Sequence, residues 1–187
     1  LHESDIYSSN ATEAIEQYLM EMPVGGMVET IIAGIKKEEI QIRKSNSLSD
    51  LVNEDYPYYT DPMPNLYFTR DPGACIGNGM SIHCMRTKAR KREALMLKYI
   101  YLYNKDFMPD GTEQWYDYEG PNSIEGGDIL VLSPEIVAVG LSQRTSADAI
   151  ELLANKLLNH SNSFQKVLVF EIPKCRAFMH LDTVFTM

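Results

Sequence analysis

Apolar positions along this chain change period near residue 60, and that change divides the sequence in two. Ile15, Tyr18, Leu19 and Met22 recur at i, i+3, i+4 and i+7, the spacing of one helix face; Asn10 with Glu13 three positions later reads as the cap. Pro23 and Gly25-Gly26 interrupt the stripe. Val28, Ile31, Ile32 and Ile35 then mark a second helix, with Lys36 and Lys37 where the helix dipole favours cations. Two short amphipathic helices cannot bury their own stripes, so they are expected to join a helical bundle continued elsewhere.

The stretch "SNSLSDLVNEDYPYYTDPMPN" carries three prolines and reads as a linker, with the boundary placed at residues 51–64. Beyond it, strand and helix patterns alternate. "NLYFTRDP" predicts a strand and "CIGNGMSIHCM" a second, turning near Gly77-Asn78-Gly79; "REALMLKYIYLY" predicts a helix and "TEQWYDYE" another strand. The order then recurs. "SIEGGDILVL" and "IVAVGLS" predict a hairpin around Ser133-Pro134, Ile150, Leu153, Ala154 and Leu157 a helix, and "KVLVFEIP" a strand. "HLDTVFTM" reads as the opening strand of a third copy, with His180 and Asp182 two apart and so on one face.

The recurrence has a register. Asp71 lies 19 residues before Arg90, and Glu125 lies 19 before Arg144. Asp71 to Glu125 spans 54 residues, and Glu125 to Asp182 spans 57. An acid near the start of each copy at nearly constant spacing indicates an internal repeat. If ββαβ units pack around a common axis, these acids converge on one pocket.

Bulk composition narrows the chemistry. In 187 residues, apolar content of 44% and charged content of 23% describe an ordinary globular chain. A net charge of −9 argues against a general nucleic-acid binder, and no apolar run approaches the length of a membrane span. Three cysteines without paired spacing fit a reducing, cytoplasmic compartment and suggest no structural zinc. The chain starts at Leu1 and stops inside an apolar run, so it reads as the middle piece of a longer protein.

Taken singly, each candidate is ambiguous. Glu125 and Asp128 flank a Gly pair; they are either two solvated acids of a turn or acids brought to one side by a Gly-Gly bulge with its tolerance of φ > 0. Asp71-Pro72 is also a common strand end or turn. Lys88, Lys91 and Arg92 read as a solvated basic patch, from which register separates Arg90. Taken together, carboxylates and arginines in one pocket suit a zwitterion with a guanidinium at one end and an α-carboxylate at the other, because both pairings are forked and charge-assisted. Free L-arginine fits. Manganese or iron ligation by carboxylates and His is the rival, and neighbouring arginines count against it.

In this order "MPNLYFTRDP", "IEGGDIL", "VGLSQRTS" and "MHLDTVFTM" resemble the arginine deiminases of the guanidine-modifying superfamily, through essentially the whole chain. The resemblance implies a partial five-bladed α/β propeller (a pentein) built of ββαβ units, at 65–122, 123–176 and the start of a third at 177–187. Residues 1–50 would then be part of the helical insertion that separates arginine deiminases from agmatine deiminases and dimethylargininases. By matching position, Asp71 and Asp182 resemble the carboxylates that grip the guanidinium, and Glu125 and His180 the proton-transfer pair. Asn65, Arg90 and Arg144 resemble the groups holding the amino-acid end, Phe68 an aromatic wall, and Asp128 a supporting acid. The implied chemistry is attack of a cysteine thiolate on the guanidinium carbon, then hydrolysis of the thiouronium to citrulline, with no metal or organic cofactor.

Cys75, Cys84 and Cys175 do not match the family's nucleophile, which lies well beyond the "HLD" motif. The expectation is therefore a piece with gripping groups but no nucleophile, inactive alone and prone to self-association or homo-oligomer formation through uncovered strand edges. An amidinotransferase of the same superfamily, or a catalytically dead arginine-binding or assembly module, remain as other readings of the sequence.

Overall fold

A computed structural model describes residues 11–40, 42, 48, 55–161 and 163–185. The chain forms two compact units, dividing between Tyr67 and Phe68, just past the proline-rich stretch.

In the first unit, α1 (Thr12–Met20) and α2 (Val24–Ala33) are followed by a two-stranded antiparallel ladder of β1 (Ile35–Lys36) and β2 (Tyr58–Thr60). Ala11, Ile15, Leu19 and Ile35 form its buried centre, with Tyr18, Met22, Ile31 and Tyr59 packed around them. The first helical stripe of the sequence is thus the buried face, whereas no residue of α2 is buried and Val28 of the second stripe is exposed. Two details differ from expectation. Gly25 and Gly26 lie inside α2, whose start is set by Pro23 in an extended conformation (ψ 150). The helix also stops at Gly34, at φ +80, so Lys36 sits in a strand rather than in a last helical turn. The Asn10 cap lies outside the described residues.

The second unit repeats one motif twice. β3 (Gly73–Ile76) and β4 (Gly79–Ile82) form a hairpin, α3 (Glu93–Tyr103) crosses over, and β5 (Glu113–Tyr116) pairs parallel to β4. β6 (Ile129–Ser133) and β7 (Ile136–Leu141) form the second hairpin, α4 (Ala147–His160) crosses over, and β8 (Lys166–Glu171) pairs parallel to β7. Each sheet therefore has the order hairpin, then parallel third strand. Gly77 has φ +58 at the first position of its two-residue turn, which a side chain would resist. Ser146 caps α4 by accepting a hydrogen bond from the Ala149 N–H at 3.3 Å.

One core joins the two copies. Trp115 and Tyr116 of β5, Ile129, Val137 and Val139 of the second hairpin, and Ala149, Ile150, Leu153 and Leu157 of α4 are buried together. Alternation along β6 and β7 sends Leu130 and Ala138 to the opposite face, where they meet Ile172 and Leu181. α3 covers the first sheet through Ala94 and Leu97 against Met80 and Ile82.

Two strand expectations fail at the opening of each copy. "NLYFTRDP" is a run of turns, and the first strand begins later, at Gly73. "HLDTVFTM" likewise contains a 3-10 turn, Leu181–Thr183, preceded by His180 in an extended conformation. His180 and Asp182 therefore do not share a strand face. The "EGGD" segment is a 3-10 turn over Gly126–Asp128 rather than a bulge. Sites for side-chain chemistry thus fall on the irregular segments that precede the strands.

Candidate active site

Three of these irregular segments converge. The ligand atoms of Asp71, Glu125 and His180 lie within 4.8 Å of one another. His180 Nε2–H donates to Glu125 Oε2 at 2.8 Å, and its Nδ1 lies 3.9 Å from Asp71 Oδ1. Glu125 and His180 are both buried, and both are tied down from outside the pair. The Arg86 N–H donates to Glu125 Oε1 at 3.0 Å, and Thr145 Oγ1 accepts the Glu125 N–H at 3.1 Å.

Two glycines make this approach possible, for a reason other than backbone freedom. Neither Gly126 nor Gly127 has positive φ. A Cβ on Gly127 would stand 2.4 Å from His180 Nδ1, and one on Gly126 would stand 2.0 Å from the Arg70 carbonyl oxygen. Absence of a side chain, rather than the φ > 0 expected of a Gly-Gly bulge, is what the site needs here.

The register of the sequence turns out to be a physical pairing. Arg90 Nη1 donates to Asp71 Oδ2 at 2.7 Å, and Arg144 Nη1 lies 3.6 Å from Glu125 Oε1. In both copies the acid ahead of the hairpin meets the arginine ahead of the crossover helix. Arg90 is also bound through Nε and Nη2 to Glu93, a carboxylate with no solvent exposure. Sequence reasoning missed Glu93, although Arg90-x-x-Glu93 is an i, i+3 pair at a helix start.

Asp128 is fully buried and its two oxygens serve the protein. Oδ2 accepts the hydroxyls of Ser142 and Thr145, both at 2.6 Å, and Oδ1 accepts the Leu181 N–H at 2.8 Å. It thus links the turn carrying Arg144 to the residue after His180. Asp182 is exposed beside Arg70, with Arg70 Nε 3.4 Å from its Oδ2. Phe68 is half-exposed at 48%. Asn65 belongs to the first unit.

Charge states follow from this arrangement. Burial opposes ionisation of Glu125, but the His180 hydrogen bond, the Arg86 N–H and Arg144 together hold its pKa below the usual value. Burial likewise opposes the His180 cation, yet the hydrogen bond to Glu125 and the fields of Asp128 and Asp71 raise its pKa. Burial raises Asp128 despite its three donors. For Arg90, burial is outweighed by Glu93 and Asp71, and the guanidinium stays charged. Both shifts favour the ionised form of the Glu125–His180 pair, in which the imidazolium carries the proton of the 2.8 Å bond.

Asp71, Glu125 and His180 could also be read as metal ligands. A cation there would have to compete with Arg90 for Asp71 and share Glu125 with Arg144. The donor set suits an organic cation held by forked hydrogen bonds better than an inorganic one.

Comparison with known proteins finds the following relatives. An arginine deiminase from Bacillus cereus (strain B4264) is 48% identical over 177 residues, covering 95% of this chain and 43% of its own. One from Bacillus cytotoxicus is 46% identical over 187 residues, covering 100% of this chain and 46% of its own. A solved DDAH from Pseudomonas aeruginosa, complexed with citrulline, is 20% identical with a TM-score of 0.49, covering 81% of this chain and 59% of its own. This chain thus spans less than half the length of the curated relatives it matches. The arginine deiminase family model matches residues 1–187, and the chain belongs to the arginine deiminase family.

Proposed function

We propose that this chain forms the guanidinium-gripping and proton-transfer part of an enzyme that hydrolyses L-arginine to L-citrulline and ammonia. The observation that carries this reading is the buried Glu125–His180 hydrogen bond of 2.8 Å with Asp71 beside it. Asp71 and Asp182 hold the guanidinium in attack geometry. A cysteine thiolate adds to the guanidinium carbon, and the His180 imidazolium protonates the departing ammonia. The neutral imidazole then takes a proton from water, whose oxygen attacks the thiouronium carbon, releasing citrulline and the thiolate. Such positioned proton transfer contributes about 10²–10⁴-fold. Arg144 serves the α-carboxylate end, Arg90 holds Asp71 in place, Phe68 lines the pocket, and Asp128 supports Arg144 and His180.

The thiolate comes from a segment outside these 187 residues. Cys75 and Cys175 are exposed, and the Cys84 thiol, packed against the apolar core, is pushed up by burial. Three free thiols favour a cytoplasmic setting. No helix of the described residues is long and apolar enough to cross a membrane.

On this reading the two ββαβ copies, 65–122 and 123–176, are consecutive units of a five-bladed propeller, and 177–187 begins the next. What supports it is α4, buried between the sheet of its own copy and β5 of the copy before. α3 presents Tyr99, Ile100 and Tyr103 outward, and β8 presents Leu168, Val169 and Phe170, as preceding and following units would require. Left uncovered, these faces promote self-association or homo-oligomer formation.

The test is citrulline formation from arginine, by this chain and by a protein of its relatives' full length that contains it, with glycine added in parallel. The full-length protein should form citrulline and no guanidinoacetate, and this chain none. Guanidinoacetate would indicate amidino transfer instead. Robust citrulline formation by this chain would overturn the assignment of the nucleophile, and none by the full-length protein would overturn the reading altogether.

A further inference from the structure

The deiminase chemistry uses one histidine, but a second is buried against the same acids. His83 follows β4, is fully buried, and its Nδ1 lies 2.8 Å from the backbone oxygen of Asp71. A carbonyl oxygen can only accept, so Nδ1 carries the proton. The other ring nitrogen, Nε2, is buried without a hydrogen-bond partner. A proton there would be a stranded donor on a cation without exposure to water. Burial lowers the pKa of His83 to about 4, against its hydrogen bond and the fields of Asp71 and Glu125 and with help from His180. The two histidines are thus pushed in opposite directions.

The bond is one of a set made by three of the four residues 83–86. The His83 N–H donates to the Pro72 carbonyl at 2.9 Å, the Cys84 carbonyl accepts the Ile124 N–H at 3.0 Å, and the Arg86 N–H reaches Glu125. The Asp71 carbonyl also accepts the Gly126 N–H at 3.0 Å. Residues 83–86 therefore bracket Asp71 of one copy and Glu125 of the next. Within this bracket only His83 acts through its side chain.

We propose that His83 is a positioning residue: neutral and protonated on Nδ1, it fixes the Asp71 backbone against the Gly126 turn and thereby sets the carboxylate of Asp71 beside His180. Its bearing on arginine rests on the deiminase reading; the geometric link between the two histidines does not.

Histidine titrations by nitrogen–proton correlation NMR on the 187-residue chain test both parts. In the wild type His83 should show the Nδ1–H tautomer and stay neutral to about pH 5, while His180 titrates above its ordinary value. His83→Leu removes the donor, so Asp71 moves off, the His180 titration shifts down, and any arginine affinity falls about tenfold. His83→Asn, whose amide N–H reaches near the position of Nδ1, should restore the His180 titration. An Nε2–H tautomer, or His83 titrating near 6.5, overturns the proposal. So does a folded His83→Leu chain with an unchanged His180 titration. Should His83→Leu fail to fold, the wild-type tautomer and the Asn variant decide. A wild-type chain that binds no arginine counts against the deiminase reading alone, since the titrations still report the link.

Discussion

Gly127→Ala is the most direct test of how the site is packed. The new Cβ would meet three atoms of His180: Nδ1 at 2.4 Å, Cγ at 2.6 Å and Cβ at 2.8 Å. These include the base of the side chain, so a rotation of the ring tip does not relieve the contact. Either the His180 segment moves out or the "EGGD" turn deforms. Overpacking of this kind costs about 1–3 kcal/mol. Moving His180 also stretches the 2.8 Å bond to Glu125 and leaves a buried carboxylate short of a donor, about 1–3 kcal/mol more. The two terms overlap, since one displacement relieves the clash and breaks the bond, so we expect a loss of about 3 kcal/mol in urea unfolding. The same displacement should lower the His180 titration toward its unperturbed value. A variant within about 0.5 kcal/mol of wild type with an unchanged His180 titration would refute the packing argument.

Glu125→Gln should cost most stability at intermediate pH. The raised folded pKa of His180 gives stabilisation that is full below its unfolded value and lost as pH rises through the folded one; the depressed pKa of Glu125 gives stabilisation present above its unfolded value and lost as pH falls through the folded one. The wild-type advantage in urea unfolding should therefore shrink as pH falls below the ordinary carboxylate range and as it rises above the ordinary histidine value. Asp128→Ala strands two hydroxyls and the Leu181 N–H and should cost about 3 kcal/mol or more, with the loss visible as faster amide exchange at Leu181. Gly25→Ala is the opposite case. With nothing within 4 Å of its added Cβ inside α2, it should raise the thermal midpoint of the first unit by stabilising it about 0.5–1 kcal/mol.

Regular elements were legible wherever one face is buried over several turns. Leu153 and Leu157 of α4 and the alternation Val137, Ala138, Val139 of β7 sit where period alone puts them. The misread segments are those whose backbone is used by the site. Asp71 lies in a stretch with strand-like composition, but its carbonyl is taken by His83 and Gly126, and Pro72 has no N–H for a ladder. "HLDTVFTM" alternates like a strand, yet Asp128 takes the Leu181 N–H and Glu125 takes the His180 ring, and the chain turns. The acid–arginine register was visible because a repeat preserves spacing. His83 and the Ser142/Thr145 hydroxyls reach Asp71 and Asp128 through tertiary bonds, which leave no period to detect, whereas Glu93 is a local i, i+3 partner of Arg90.

The pairings also rank which contacts a guanidinium could exchange. Arg70 and Asp182 lie 3.4 Å apart with side chains 53% and 30% exposed, an ion pair of about 0–1 kcal/mol. Arg90 is different: nearly buried and anchored by Glu93 through Nε and Nη2, it cannot leave Asp71 without exposing a carboxylate that the fold has desolvated. On the deiminase reading, substrate therefore displaces Arg70 from Asp182 at small cost but shares Asp71 with Arg90. Arg90 holds Oδ2, so the oxygen left for substrate is Oδ1, the one facing His180 Nδ1 at 3.9 Å. On the same reading Arg90, held by Glu93 and Asp71, leaves the guanidinium the oxygen that faces His180. Arg70→Ala should then tighten or leave unchanged the arginine affinity of the full-length enzyme, whereas Glu93→Gln, by freeing Arg90 to swing, should weaken it. Equal losses from both variants in calorimetric titration would contradict this ordering.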